Sequence, residues 1–266
     1  MNKVILITGA TDGIGLQTAK QLAKEGYTLL LHGRNKDKLN KVKQELINSS
    51  EYTDIETYIA DLSKLNEVYS FVTELKQKHS KIDIIINNAG VYTTPQTQTI
   101  DGLDVRFMVN AIAPYIITKE LLEVLTDGSR VINLSSAAQS GVNYEALEGK
   151  VTLADSLMYA QSKLALTMWS IAMGTAFKDK GVTIVAVNPG SLLATKMVKD
   201  AYGIEGSDIT LGSNILKAAA LSDDFKFAGG KYFDNDKAKF SNPHLDAMKQ
   251  ENNMQLINKI ESILEK

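Results

Sequence analysis

Short apolar runs alternate with longer segments of helical period along this chain, and that alternation limits the folds open to it more than any other feature. Val4 to Thr8 precedes the helical pattern Ile14 to Glu25, Thr28 to His32 precedes Lys36 to Ile47, and Ile55 to Ile59 precedes Leu65 to His79. The runs read as largely continuous apolar stretches rather than alternating ones, which suits parallel strands covered on both faces. Further strands are expected at Ile82 to Asn87, Val131 to Leu134, Val182 to Val187 and around Lys231 to Phe233, with helices near Leu103 to Leu125 and Leu157 to Lys178. The expected fold class is α/β: one doubly wound sheet of about seven parallel strands with helices on both faces.

No Gly/Ser-rich or Pro-rich linker interrupts the pattern, so residues 1–266 are read as a single domain. Two stretches fall outside the alternation, near 137–158 and 191–208, each after an expected strand. In a doubly wound sheet the loops at the carboxyl strand ends form the ligand crevice, so both are read as substrate-loop segments.

Charge and composition then exclude several classes. With 29 basic and 31 acidic side chains the net charge is -2, which leaves no electrostatic footprint for nucleic acid or an anionic membrane surface. The absence of cysteine removes disulfides, thiol nucleophiles and cysteine-ligated metals, while the three histidines, His32, His79 and His244, show no metal-ligand spacing. No metal site is expected. Val4 to Ile7 is too short for an export signal or a spanning helix, and a cytoplasmic location is expected. There is no Gly-x-Ser-x-Gly elbow, and Gly230-Lys231 is followed by Tyr232 rather than the Ser or Thr of a phosphate-binding Walker loop.

Three motifs carry chemistry. Thr8-Gly9-Ala10-Thr11-Asp12-Gly13-Ile14-Gly15 lies between the first strand and the first helix, where glycines permit a tight turn and the helix amino terminus offers N–H groups to a phosphate. A plain tight turn is the bland reading. Asn87-Asn88-Ala89-Gly90 ends strand four and taken singly is only a loop punctuator. Tyr159 and Lys163 are four apart on one helix face, where an ammonium favours phenolate and readies the phenol for proton transfer. An isolated Tyr-x3-Lys is usually an ordinary surface pair.

Taken in order, these motifs, with a serine upstream of Tyr159 and Asn188-Pro189-Gly190 after strand six, resemble the short-chain dehydrogenase/reductase family of the single-domain Rossmann type. The resemblance spans residue 8 to about residue 195. It implies catalysis by Ser136, Tyr159, Lys163 and Asn110, with Ser135 only a neighbour. It also implies a dinucleotide held by Gly9, Thr11, Asp12, Gly13, Ile14 and Gly15, by Asn88, Ala89 and Gly90, by Tyr159 and Lys163, and by Pro189, Gly190 and Thr195. Asp61 and Leu62 would flank the adenine, although Asp61 beside Ser63 equally suits a helix-capping role. Thr195 comes one position later than is common in the family, which weakens its match to the nicotinamide carboxamide. Ser136 and Tyr159 are 23 positions apart, longer than usual, and that expansion is similar to the retinol dehydrogenase-like and protochlorophyllide reductase-like branch.

Asn110 has a reading of its own. Pro114 offers no N–H to the carbonyl four residues before it, so a kink with an unpaired acceptor is expected, and the resemblance implies that a relay water sits there. At the end of strand two, Leu31-His32-Gly33-Arg34-Asn35 lacks the carboxylate that an NAD-selective site places there. Arg34 instead offers a charged fork for a 2′-phosphate, with Gly33 leaving room and Asn35 beside it, so NADP (NADPH) is expected over NAD. The expected reaction interconverts a small apolar carbonyl compound and its alcohol. The rival reading is a non-catalytic NADP-binding sensor, against which the joint presence of Ser136, Tyr159 and Lys163 argues. The segment from Leu157 to Phe177 is apolar around more than one face, which fits either a homo-oligomer or burial beneath 137–158.

Overall fold

The computed structural model describes residues 3–50 and 54–265. Seven parallel strands form one sheet: β1 (Val4–Ile7), β2 (Thr28–Gly33), β3 (Ile55–Ile59), β4 (Ile84–Asn87), β5 (Arg130–Leu134), β6 (Thr183–Asn188) and β7 (Tyr232–Asp234). An eighth, β8 (Lys239–Phe240), which the sequence reading lacks, turns back antiparallel on β7. The order is β3-β2-β1-β4-β5-β6-β7-β8, so the chain reverses direction across the sheet at β1, which pairs with both β2 and β4. A crevice opens at that switch point, beyond the carboxyl ends of the strands.

The continuous apolar character of the strands follows from cover on both sides. In β1, Leu6 joins the core of one face while Ile5 and Ile7 join the core of the other. On the first face lie α3 (Leu65–Lys78), the short α4 (Val105–Phe107), α5 (Ala113–Leu121) and α7 (Asp155–Ala176). On the second lie α1 (Gly13–Ala23), α2 (Lys36–Ser49) and α9 (Thr210–Leu221). The short helices α6 (Tyr144–Leu147) and α8 (Lys196–Tyr202) fall within the two segments outside the alternation. Finally, α10 (Gln250–Leu264) buries Leu256, Ile260 and Ile263 against the first face.

The expected kink before Pro114 is a five-residue π-helical turn, Met108–Ile112, between α4 and α5. The turn widens the helix, and the Trp169 indole N–H donates to the Ala111 carbonyl at 3.1 Å. Both α10 and the segment 137–158 pack along α7: Leu256 and Ile260 share its core, and Asn143 N–H donates to Gln161 at 2.9 Å. Glu261 of α10 accepts hydrogen bonds from the Tyr115 hydroxyl and from Lys119, tying α10 to α5. From the first segment, Ala146 and Leu147 are buried in the core.

Candidate active site

The glycine-rich turn after β1 is held by residues far along the chain. Thr8 Oγ1 accepts from the Asn88 and Ala89 N–H groups, both at 3.0 Å, and Asn88 Nδ2 donates to the carbonyls of Thr8 at 2.8 Å and Gly9 at 3.1 Å. Gly9 and Gly13 have φ of +66° and +57°, where a side chain is strained. At Gly15 a Cβ would lie 2.3 Å from Asn88 Nδ2 and 2.5 Å from the Gly9 carbonyl oxygen. These glycines keep backbone open around the amino terminus of α1, where unpaired N–H groups favour an anion. Asp12 caps that helix, accepting from Gly13 N–H at 2.7 Å, and Ile14 packs toward the second core.

Opposite this turn, Gly33 has no room for a side chain because a Cβ would approach Thr11 Cγ2 to 2.8 Å. Arg34 follows it, exposed and without an ion-pair partner among the described residues. Asn35 caps α2, accepting from Lys38 N–H at 2.9 Å. Asp61 accepts from both the N–H and hydroxyl of Ser63. Burial pushes its carboxyl up, but those bonds, with the charges of Lys64 and Arg34, hold it below the usual carboxylate range. The side chain of Leu62, after β3, is buried in the core of the first face.

The catalytic group expected from the sequence comes together at the ends of β4, β5 and α7. Lys163 is buried, and its Nζ donates to the Leu134 carbonyl at the end of β5, 2.7 Å away. Ser135 is spent on a 2.6 Å hydrogen bond with Thr167, whereas Ser136 Oγ accepts from Ala138 N–H at 3.1 Å and lies close enough to the Tyr159 phenol to lower it. Asn110 is pinned in place: its Nδ2 donates to the Val91 carbonyl and to Ser162 Oγ, both at 2.9 Å, and its Oδ1 accepts from Val91 N–H. Ser162 in turn donates to the Tyr159 carbonyl at 2.7 Å. A Cβ on Gly90 would lie 3.3 Å from Asn110 Oδ1 and 3.5 Å from Lys163 Nζ, so glycine keeps this approach open.

One electrostatic expectation is corrected. The phenol of Tyr159 is not depressed: burial pushes it up to about 12, against the lowering bond from Ser136 and with the Tyr202 phenol raising it further. Lys163 Nζ stands 5.7 Å from the Tyr159 ring centroid and donates to the Leu134 carbonyl, while burial dominates the phenol. Burial likewise lowers the Lys163 ammonium to about 8.

Tyr92 lies against Tyr159 with centroids 4.8 Å apart, and Tyr202 of α8 lies against Tyr92 at 5.8 Å, making an aromatic wall beside the phenol. Thr195 caps α8 through Val198 N–H, and its methyl lies 3.7 Å from where a Gly13 Cβ would stand. The loop after β6 thereby reaches across to the glycine turn. Two residues that the sequence reading missed fasten it: Asn235 donates to the Pro189 carbonyl at 2.9 Å, and Asp236 accepts from the N–H and hydroxyl of Ser191. Their signal is the polar run Asp234-Asn235-Asp236 at the end of β7 and just beyond it. Arg106, also missed, is fully buried and joins Asp104 at the start of α4 to Asp155 in the first turn of α7, one helical turn before Tyr159.

A glycine cradle at the switch point of a parallel sheet, with serine, tyrosine and lysine at its edge, defines a dinucleotide-dependent oxidoreductase acting on CH–OH groups. The family profile described as short chain dehydrogenase matches residues 3–203, and the chain belongs to that family. Human polyprenol dehydrogenase is 30% identical over 262 residues, covering 89% of this chain and 78% of that protein. Human retinol dehydrogenase 13 is 30% identical over 265 residues, covering 92% and 80%. The branch agrees with the expanded serine–tyrosine spacing. Among solved structures, landomycin C-6 ketoreductase LanV with bound NADP and rabelomycin has a TM-score of 0.69 at 26% identity, covering 88% of this chain and 94% of that one. An uncharacterized protein from Mycobacterium paratuberculosis has a TM-score of 0.80 at 23% identity, covering 98% and 92%.

Proposed function

We propose that this chain is an NADP(H)-dependent oxidoreductase that interconverts an apolar carbonyl compound and its alcohol, with Tyr159 as the acid/base. The observation that carries the reading is the gathering of Ser136 beside Tyr159, with Lys163 one turn further along α7, its Nζ 5.7 Å from the Tyr159 ring, at the edge of the glycine cradle. When bound, the nicotinamide supplies or accepts the hydride. The protein's part is the proton. With its phenol raised, Tyr159 is protonated at neutral pH, the state that carbonyl reduction consumes. Ser136, its oxygen accepting from Ala138 N–H, would turn its hydroxyl proton from the phenol to the substrate oxygen. Lys163 and Asn110 hold the groups around the phenol and carry its proton supply toward solvent.

Cofactor choice follows from Arg34. It is exposed and unpaired among the described residues, while Asn35 is committed to capping α2 and Asp37 lies in that helix's first turn. A charge-assisted hydrogen bond contributes about 1.5–3 kcal/mol, or roughly 10- to 150-fold in affinity. Arg34→Ala is expected to weaken NADP+ by that factor and leave NAD+ little changed, as read by calorimetric titration. Equal loss for both refutes the assignment. The aromatic wall of Tyr92 and Tyr202 supports an apolar substrate, to be identified with a panel of carbonyl compounds and both reduced cofactors. On an active panel member Tyr159→Phe should lower turnover by about 10²- to 10⁴-fold with cofactor affinity retained, and near-normal turnover would overturn the mechanism. A cytoplasmic location belongs to the same reading and is tested by cell fractionation. Among the described residues no helix is long and apolar enough to cross a membrane.

A further inference from the structure

Among the deeply buried ionisable side chains that the mechanism leaves unused is an imidazole. His32 is 3% exposed at the carboxyl end of β2, its ring centroid 4.8 Å from that of Phe71. Its Nδ1 accepts from Gly9 N–H at 3.3 Å and its Nε2 lies 3.0 Å from the Ala60 carbonyl oxygen. A backbone N–H can only donate and a carbonyl can only accept, so these two contacts require a neutral imidazole with its proton on Nε2. The main-chain carbonyl of His32 also accepts from Ala10 N–H at 2.9 Å.

One residue therefore grips the glycine turn twice and the end of β3 once, at the residue directly before Asp61. Gly33 and Arg34 follow it in the chain. The three segments that the dinucleotide reading assigns to the pyrophosphate, the 2′-phosphate and the adenine all meet around this ring.

We propose that His32 is a positioning residue for the dinucleotide, setting the distance between the glycine turn and the Asp61 loop through its neutral Nε2–H form. The inference rests on the dinucleotide reading. Without the imidazole, Gly9 N–H loses its acceptor at a residue whose left-handed φ leaves it no helical or strand partner, and the turn is free to rotate away from the ligand. The surroundings maintain the neutral form. Burial lowers the imidazole to about 4, against the Ala60 bond and the negative charge of Asp61, which both raise it. Tyr58, its register partner on β3, and Phe71 of α3 are uncharged at neutral pH, and the glycine turn brings Asp12 only as the cap of α1.

The test uses the whole protein and separates the two bonds. Asparagine at 32 places an acceptor near the Nδ1 position but cannot reach Ala60. Glutamine places a donor near the Nε2 position, and leucine supplies neither. Calorimetric titration with NADP+ should show His32→Leu weakened by about tenfold or more, with His32→Asn and His32→Gln in between. Turnover at saturating cofactor should stay within about threefold of wild type. Nitrogen-15 spectra of histidine-labelled wild type contain three imidazoles, and the signal lost in His32→Gln should be the neutral Nε2–H tautomer from pH 8 down to about pH 5. A cationic or Nδ1–H ring in that range, wild-type affinity in His32→Leu, or a loss confined to turnover would each overturn the proposal. Failure of wild type to bind either NADP+ or NAD+ would instead overturn the dinucleotide reading, and the positioning role with it.

Discussion

Removing the charge of Lys163 should stabilise the cofactor-free protein while abolishing its activity. The ammonium is 4% exposed and burial holds it at about 8, against 10.5 for a free lysine. A lysine whose folded value is depressed binds its proton less well folded than unfolded, so it destabilises the fold below pH 8. That cost is relieved as pH rises from 8 through 10.5. The linkage gives a cost of about 3 kcal/mol at pH 7 and about 1 kcal/mol at pH 10. Lys163→Met removes this cost but also the hydrogen bond to the Leu134 carbonyl, a loss that does not depend on pH. The decisive quantity is therefore the change in the variant's advantage between the two pH values. Urea unfolding of both proteins at pH 7 and pH 10, without cofactor, should show Lys163→Met gaining about 2 kcal/mol relative to wild type at the lower pH. A difference that is flat with pH, or that grows toward pH 10, would show that the ammonium is not held at a cost, and the reasoning would fail.

Arg106→Met should destabilise by about 3–5 kcal/mol in urea unfolding, because it strands the buried carboxylate of Asp104 without its partner. A loss below about 1 kcal/mol would show that the ion pair does not hold the start of α7. Light scattering at micromolar concentration should return the mass of a monomer, since α10 and the segment 137–158 already pack along α7; a dimer would mean that another surface associates.

The central strands were legible because a parallel strand covered on both faces is apolar along its length, as β1 is throughout and β4 and β6 are except at their ends. Ser136, Tyr159 and Lys163 were legible from motif order, and the structure places them together. Less could be read where tertiary contacts decide. The proline at 114 signalled a break, but a kink and a π-helical turn remove the same hydrogen bond and differ only in what packs alongside, here Trp169. α8 buries none of its residues, and seven residues are too few for the spacing of Met197, Val198, Ala201 and Tyr202 to stand out as a helical period. The pKa of Tyr159 was misjudged because helix spacing sets how near Lys163 can come, while the Leu134 carbonyl decides where the ammonium points. His32 looked like one of three scattered histidines, since only the pairing of β2 between β1 and β3 puts Gly9 and Ala60 on either side of it.

The bonds from Asn88 to Thr8 and Gly9 join residues 79 to 80 positions apart. The first strand, turn and helix therefore cannot hold the shape of the cradle by themselves, however suitable their glycines. Closing a loop of that length costs entropy before any contact repays it, so the cradle forms only once β4 has docked beside β1. During folding, affinity for the dinucleotide should appear late and abruptly, which makes a fluorescent cofactor a reporter on the joining of the two halves of the sheet rather than on the assembly of the first βα unit.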